Sequence, residues 1–291
     1  MLSPGKQLRE LMASGPQMVP GAFNALTARM VEGAGFRALY VSGAALSAGM
    51  GIPDVGLLTL NDVADQTRSI ASSVSIPAIV DADTGFGEAI NVERTARVLE
   101  AAGAAGIQLE DQRLPKRCGH LSGKDLVAAS EMVAKVKAAV AGRRDKDFVI
   151  VARTDARGVT GFADAVERAC AYRDAGADVI FPEAMESAQE FAEFRKAVPG
   201  PLVANMTEFG KSPLLGFDEL ATIGYSLVLF PVTLLRLGMK AIAEGLAEIR
   251  RSGTQRNLLG QMQTRQQLYD ILGYVDYEKR DRSYFQSDGT K

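Results

Sequence analysis

A phrase that recurs three times constrains this chain more than any other feature. Glu32-Gly33-Ala34-Gly35, Ala101-Ala102-Gly103-Ala104 and Asp174-Ala175-Gly176-Ala177 each close a stretch rich in Ala, Glu, Arg and Leu and lead into a short apolar run. A glycine in that place ends a helix in a left-handed cap and drops the chain into a strand. Runs of this kind fall at 18–22, 38–42, 78–83, 106–111, 148–155, 179–183, 202–205 and 227–231. Strands alternating with helices are the pattern of a parallel sheet with helical crossovers.

About eight such units in roughly 210 residues fit a single (β/α)8 barrel, whose usual size is ~250 residues. The competing fold, a doubly wound open sheet, would carry a glycine-rich dinucleotide fingerprint after its first strand. None is present, and Ser42-Gly43-Ala44-Ala45 has the wrong spacing. Ser3 and Pro4 read as the cap and first turn of an N-terminal helix. Beyond the last strand, 239–251 and 254–272 read as two helices parted by Ser252-Gly253, one more than a barrel needs. We therefore expect one barrel domain over 1–291, with 254–291 as a C-terminal helical extension in which Leu258, Met262, Leu268 and Leu272 require something to pack against.

Polar residues collect at the C-terminal ends of the expected strands: Ser42, Asp81, Asp83, Glu110, Asp111, Arg153, Asp155, Glu183 and Asn205. In a barrel those ends form the catalytic mouth. Because alternate side chains of a strand share a face, Tyr40 with Ser42, Asp81 with Asp83, Arg153 with Asp155 and Phe181 with Glu183 are each expected to point the same way.

The charge balance excludes other roles. Lys and Arg number 33 against 35 Asp and Glu, which leaves no field to hold nucleic acid or an anionic membrane. The longest apolar stretch, at 227–235, is broken by Pro231 and is far short of the ~20 residues of a spanning helix. With no basic-then-apolar leader in view the expected location is the cytoplasm, where Cys118 and Cys170 would be free thiols. A single histidine, His120, excludes chemistry that needs several.

Asp81 and Asp83 on one face of a strand end would repel unless a cation lay between them, and hard oxygen donors completed by water suit Mg2+ or Mn2+. Glu110 and Asp111 could complete the shell through water; the competing reading is that these carboxylates cap the next helices. In Lys116-Arg117-Cys118-Gly119-His120 two cations and an imidazole flank a sulfur, a setting that lowers a thiol pKa, while the glycine lets the loop approach a ligand. Cys170, among apolar neighbours, reads as core. Arg153, Arg236 and Arg265 are candidate clamps for substrate carboxylates.

The blocks Val80-Asp81-Ala82-Asp83-Thr84-Gly85-Phe86-Gly87, Glu110-Asp111-Gln112 and Lys116-Arg117-Cys118-Gly119-His120 together resemble the isocitrate lyase and phosphoenolpyruvate mutase superfamily, and the last block its cysteine-bearing lyases. Ala152-Arg153-Thr154-Asp155-Ala156, Phe181-Pro182-Glu183-Ala184, the Asn205 to Gly210 segment and Met262-Gln263-Thr264-Arg265 extend the likeness over nearly the whole chain. The resemblance implies Mg2+-dependent cleavage of 2-methylisocitrate to pyruvate and succinate, with 2,3-dimethylmalate or oxaloacetate as alternative substrates and phosphonopyruvate isomerisation as a more distant one. It implies a metal at Asp81 and Asp83 with Glu110 outside them. Substrate contacts are implied from Ser42, Gly43, Ala44, Asp81, Cys118, Gly119, His120, Arg153, Glu183, Asn205, Thr207, Arg236 and Arg265. Phe181 and Leu229 would line the pocket at the extra methyl, Cys118 would deliver a proton, and Tyr40 is a candidate base. A homotetramer with exchanged C-terminal helices is implied as well.

Overall fold

A computed structural model describes residues 2–285 of the chain; the end of the expected extension, 286–291, lies outside the described residues. The elements run α1 (Pro4–Ser14), β1 (Gln17–Ala22), α2 (Ala25–Gly33), β2 (Leu39–Val41), α3 (Gly43–Gly49), α4 (Leu60–Ala71), β3 (Ala78–Asp81), α5 (Ala89–Ala101), β4 (Gly106–Glu110), α6 (Ala129–Gly142) and β5 (Val149–Thr154). They continue with α7 (Phe162–Asp174), β6 (Val179–Pro182), α8 (Ala188–Ala197), β7 (Val203–Asn205), α9 (Phe217–Ile223), β8 (Leu227–Phe230), α10 (Thr233–Ser252), α11 (Arg265–Leu272) and α12 (Tyr274–Phe285). All eight expected strands form, and they pair in parallel in the order β6-β5-β4-β3-β2-β1-β8-β7. A parallel bridge from Ile180 to Leu202 joins the two ends. The fold is a nearly closed (β/α)8 barrel of the TIM type.

The repeated glycine phrase does what its position requires. Gly35, Gly103 and Gly176 hold left-handed backbones, with φ of 88°, 98° and 108°, and each chain turn leads from a helix into the next strand. Ser3 caps α1 by accepting from Lys6 N at 3.3 Å, with Pro4 in the first turn.

Two apolar layers follow from strand alternation. Inside the barrel lie Val19, Tyr40, Ile79, Val151, Phe181, Val203 and Leu229, closed from below by Leu8 and Leu11 of α1. Outside, Val41, Val80, Leu109, Ile150 and Val228 pack against the helices. Helix α1 is fixed as a plug by Arg9, whose guanidinium pairs with Asp178 at 2.7 Å and donates to Asp147 O at 2.8 Å.

The chain divides into two compact units, 1–235 and 236–291. In the second, the helix expected over 254–272 is broken: 256–261 is a 3-10 turn, and α11 begins afresh at Thr264, whose hydroxyl accepts from Gln267 N while Gln267 bonds back to Thr264 N. That reciprocal cap nucleates a new helix start, which a reading of apolar spacing alone passes over. No helix among the described residues is long and apolar enough to cross a membrane.

Candidate active site

The inward-facing positions at the C-terminal ends of β2 to β7 carry the site. Parity holds for Tyr40, Glu110, Arg153 and Phe181, which lie on the inner face with the barrel core below them. Asp83 reaches the mouth by another route. Strand β3 ends at Asp81, and Asp83 sits in the turn beyond it with φ of 47°, a left-handed conformation that Asp tolerates better than most residues.

The two carboxylates converge over the β2–α3 turn. A β-carbon built on Gly43 would stand 3.1 Å from Asp81 Oδ2 and 3.4 Å from Asp83 Oδ1, so a bare glycine leaves the space open. Gly43 N donates to Asp81 Oδ2 at 3.2 Å, and Asp83 N to Asp81 Oδ1 at 3.1 Å. Ser42 caps α3 and Ala44 lies in its first turn. Burial, and then the charge of Asp81, push the Asp83 carboxyl up to about 6. Burial likewise raises Glu110, whose buried Oε1 has no hydrogen-bond partner among the described residues. Asp54, Asp81, Asp83, Glu110, Asp155 and Glu183 outnumber Lys116, Lys124 and Arg153 in and around this mouth, so a further cation fits the donor set. Among the described residues no three acidic, His or Cys side chains form a ready-made cage; two carboxylates completed by water and substrate oxygens are the usual protein share of a Mg2+ shell.

Arg153 is held edge-on. Its Nε and Nη2 donate to Asp155 Oδ2 and Oδ1 at 2.9 and 3.1 Å, with Nη2 3.3 Å from Glu183 Oε1 and Nη1 3.6 Å from Glu110 Oε2. Although burial works against it, Arg153 and Lys124 hold the Asp155 carboxyl down at about 2. Phe181 lies under the guanidinium, 5.2 Å from ring centre to Cζ. Asn205 Nδ2 donates to both oxygens of Glu183 at 3.3 and 3.1 Å, and Thr207 is buried nearby in sequence.

Residues 113–125 form a loop over this mouth. Its stem is the antiparallel bridge between Gln112 and Leu126, and the Gln112 amide exchanges two hydrogen bonds of 2.9 Å with the Arg117 main chain. Gly119 presses onto Arg153 and Glu183, while Cys118 beside it is exposed. His120 Nδ1 accepts from Lys211 N at 2.9 Å, which puts its proton on Nε2, 3.3 Å from Glu183 Oε1. Burial lowers the His120 pKa, against the pull of the Glu183 charge, and so favours the neutral ring.

Four expectations change. Lys116 and Arg117 were expected to lower the Cys118 thiol pKa, but they turn away: the Lys116 ammonium is buried between Asp54 and Asp83, 2.7 Å from Asp83 Oδ1, and Arg117 reaches Ser122 O at 3.4 Å. Asp111 was expected near the metal, but as the odd-parity neighbour of Glu110 it faces outward, accepting from Thr154 Oγ1, Tyr172 Oη and Asp155 N. Tyr40 was expected as a base, but its hydroxyl donates to Gln108 Oε1 at 2.6 Å, and burial followed by the charge of Asp81 raises its pKa well above the phenol range. It remains a donor. Cys170, read as core, is half-buried at the core's edge. Arg236 lies in α10 and Arg265 opens α11, both in the second unit.

Sequence reasoning missed Asp54, Gln108, Gln112 and Lys124. Each acts through a partner distant in the chain or on the backbone of a loop, and only Gln108, on the inner face of β4 with Glu110, sits on a periodic face.

The phosphoenolpyruvate phosphomutase family model matches residues 8–250. The chain belongs to that family. It is 55% identical to the 2-methylisocitrate lyase of Aeropyrum pernix, over 96% of this chain and 90% of that protein, and it is a carbon–carbon lyase. The crystal structure of 2,3-dimethylmalate lyase superposes with a TM-score of 0.92 at 35% identity, over 100% of this chain and 99% of the other. Phosphonopyruvate hydrolase with oxalate and Mg2+ superposes at 0.89 with 34% identity, over 98% and 100%.

Proposed function

We propose that this protein is a Mg2+-dependent lyase that cleaves 2-methylisocitrate to pyruvate and succinate, serving the methylcitrate cycle of propionate breakdown in the cytoplasm. The observation that carries the reading is the seating of Gly119 and His120, next to Cys118, against Arg153 and Glu183, in the mouth that also holds the convergent Asp81 and Asp83 pair. Asp81 and Asp83 would hold Mg2+, with Glu110 reaching it through water and Mn2+ as a substitute. Bound there, the ion would lower the pKa of the substrate 2-hydroxyl and polarise the oxygen that becomes the keto oxygen of pyruvate.

The chain's own groups do the rest. Arg153, locked by Asp155, presents a fixed positive edge to a substrate carboxylate. The amides of the Ser42-Gly43-Ala44 turn, together with Asn205 and Thr207, orient the substrate. Tyr40 keeps Gln108 in place as a donor. Cys118 Sγ gives its proton to the carbon that becomes a methylene of succinate as the bond breaks, while the proton of the 2-hydroxyl leaves to solvent water, from which the thiolate is reprotonated. Phe181 and Leu229, both inward and buried, form an apolar floor that suits the extra methyl. Arg236 and Arg265 are proposed as carboxylate clamps, with the barrel as the lyase domain and 254–291 as its extension.

Met239, Ile242, Leu246 and Ile249 stand 45–63% exposed along one face of α10. Apolar side chains at that spacing call for cover, and we propose that further copies supply it in a homotetramer.

The deciding experiment offers 2-methylisocitrate, isocitrate, 2,3-dimethylmalate, oxaloacetate and phosphonopyruvate with Mg2+ and follows product formation. Highest kcat/KM on 2-methylisocitrate is expected. A preference for any other member replaces this substrate assignment.

A further inference from the structure

The loop that carries Cys118 is held at its stem by Gln112, but its tip is held by a side chain to which nothing so far assigns a role. Lys124 is buried, its side chain only 1% exposed. Its ammonium donates to Asp155 Oδ1 at 2.8 Å and to Gly119 O. Asp155 is the same carboxylate that fixes Arg153 through two hydrogen bonds, and its own amide is tied to Asp111 Oδ1 at 2.9 Å. One rigid carboxylate on β5's end therefore anchors both the substrate-facing guanidinium and, through Lys124, the main chain next to Cys118.

A buried ammonium is costly unless every donor it brings is used. Of its three donors, one goes to the Asp155 carboxylate, which compensates the charge, and another to the Gly119 carbonyl, which it meets only when the loop is seated. Lifting Gly119 would leave that carbonyl and one ammonium donor to be rehydrated, while Arg153 would keep Asp155. The pairing thus latches the loop in the position that places Gly119, next to Cys118, against Arg153 and Glu183.

We infer that Lys124 is the positioning residue that seats the Cys118 loop on the Arg153–Asp155 pair and so sets where the thiol meets the substrate. The inference rests on the lyase reading only for what the thiol does; the latch itself is tested without substrate. Hydrogen exchange of residues 117–123, read by mass spectrometry, is compared between the parent and Lys124→Met, which keeps the chain length and removes the ammonium. Exchange in the loop should quicken at least tenfold, with β3 to β6 unchanged. With 2-methylisocitrate, kcat should fall at least tenfold while the Mg2+ concentration for half-activity stays put. A folded Lys124→Met protein whose loop exchanges as in the parent overturns the inference, as does an equal quickening throughout the barrel, which would mark a merely structural lysine. Amine acetylation of the parent decides the case should that variant fail to fold: Lys124 modified at least tenfold more slowly than Lys240, whose side chain is 74% exposed, supports the latch, and equal rates overturn it.

Discussion

Gly119→Ala isolates the seating of the Cys118 loop with a single methyl group. Gly119 is not among the glycines with positive φ, so its backbone accepts alanine without strain and the added carbon acts only by its volume. That carbon would stand 2.2 Å from Glu183 Oε1 and 2.3 Å from Arg153 Nη2. Ordinary contact begins near 3.4 Å, so ~1 Å of room must be found between groups fixed by Asp155 and Asn205. Forcing a methyl into packed surroundings costs about 1–3 kcal/mol. The loop, exposed on its outer side, yields more cheaply than the strand ends, so the cost falls on the seated state and on reaction rather than on folding. At about 1.4 kcal/mol per tenfold, kcat/KM should drop roughly 5- to 150-fold. Global stability should hold or rise by a few tenths of a kcal/mol, because alanine narrows the unfolded ensemble by about 0.4–1 kcal/mol. Steady-state kinetics beside thermal melting with and without Mg2+ tests this. A variant within twofold of the parent in kcat/KM would show that Gly119 does not seat against Arg153 and Glu183 during turnover.

Three further outcomes are expected. Asp83 holds its proton to about pH 6 in the folded protein, against 3.8 for the ordinary carboxyl, so its contribution to metal-free stability is lost as pH rises from about 4 to 6, by roughly 3 kcal/mol. Melting of the parent and Asp83→Asn in chelator should diverge over that window, and Mg2+ affinity should weaken about tenfold per unit below about pH 6; parallel curves would remove Asp83 from the site. Cys118→Ser should bind Mg2+ and products yet lose at least about a hundredfold in kcat, since a hydroxyl is a far weaker acid than a thiol, whereas activity within about tenfold of the parent would end the proton-donor role. Leu8→Ala should cost about 2–5 kcal/mol by opening a cavity under the barrel, measured by chemical denaturation, with KM unchanged; a loss under about 1 kcal/mol would mean that α1 does not plug the barrel.

The extent to which the site was legible in the sequence followed from what kind of force places each residue. Strand ends were readable because they are periodic, and the parity that paired Arg153 with Asp155 held in the fold; the same pleat turns Asp111 outward from Glu110, which the expectation of both beside a metal passed over. The glycine that ends each helix is also local, and the strands appeared where the phrase put them. Asp83 was given the right destination for an incomplete reason, since a left-handed turn past the strand, rather than the strand itself, carries it to the mouth.

Charge was where local reading stopped. From the order Lys116-Arg117-Cys118 the two cations belong to the sulfur, yet Lys116 pairs with Asp54, 62 residues away, and with Asp83. Lys124 finds Asp155 across 31 residues. A buried ammonium goes to whichever carboxylate the closed barrel leaves least solvated, and that is a property of the assembled mouth. Alternation and capping act over one to four residues, so the sequence by itself determined the barrel, the faces of its strands and the identity of the polar strand ends; only the tertiary structure decided which charges meet, because desolvation exists only once the chain has closed.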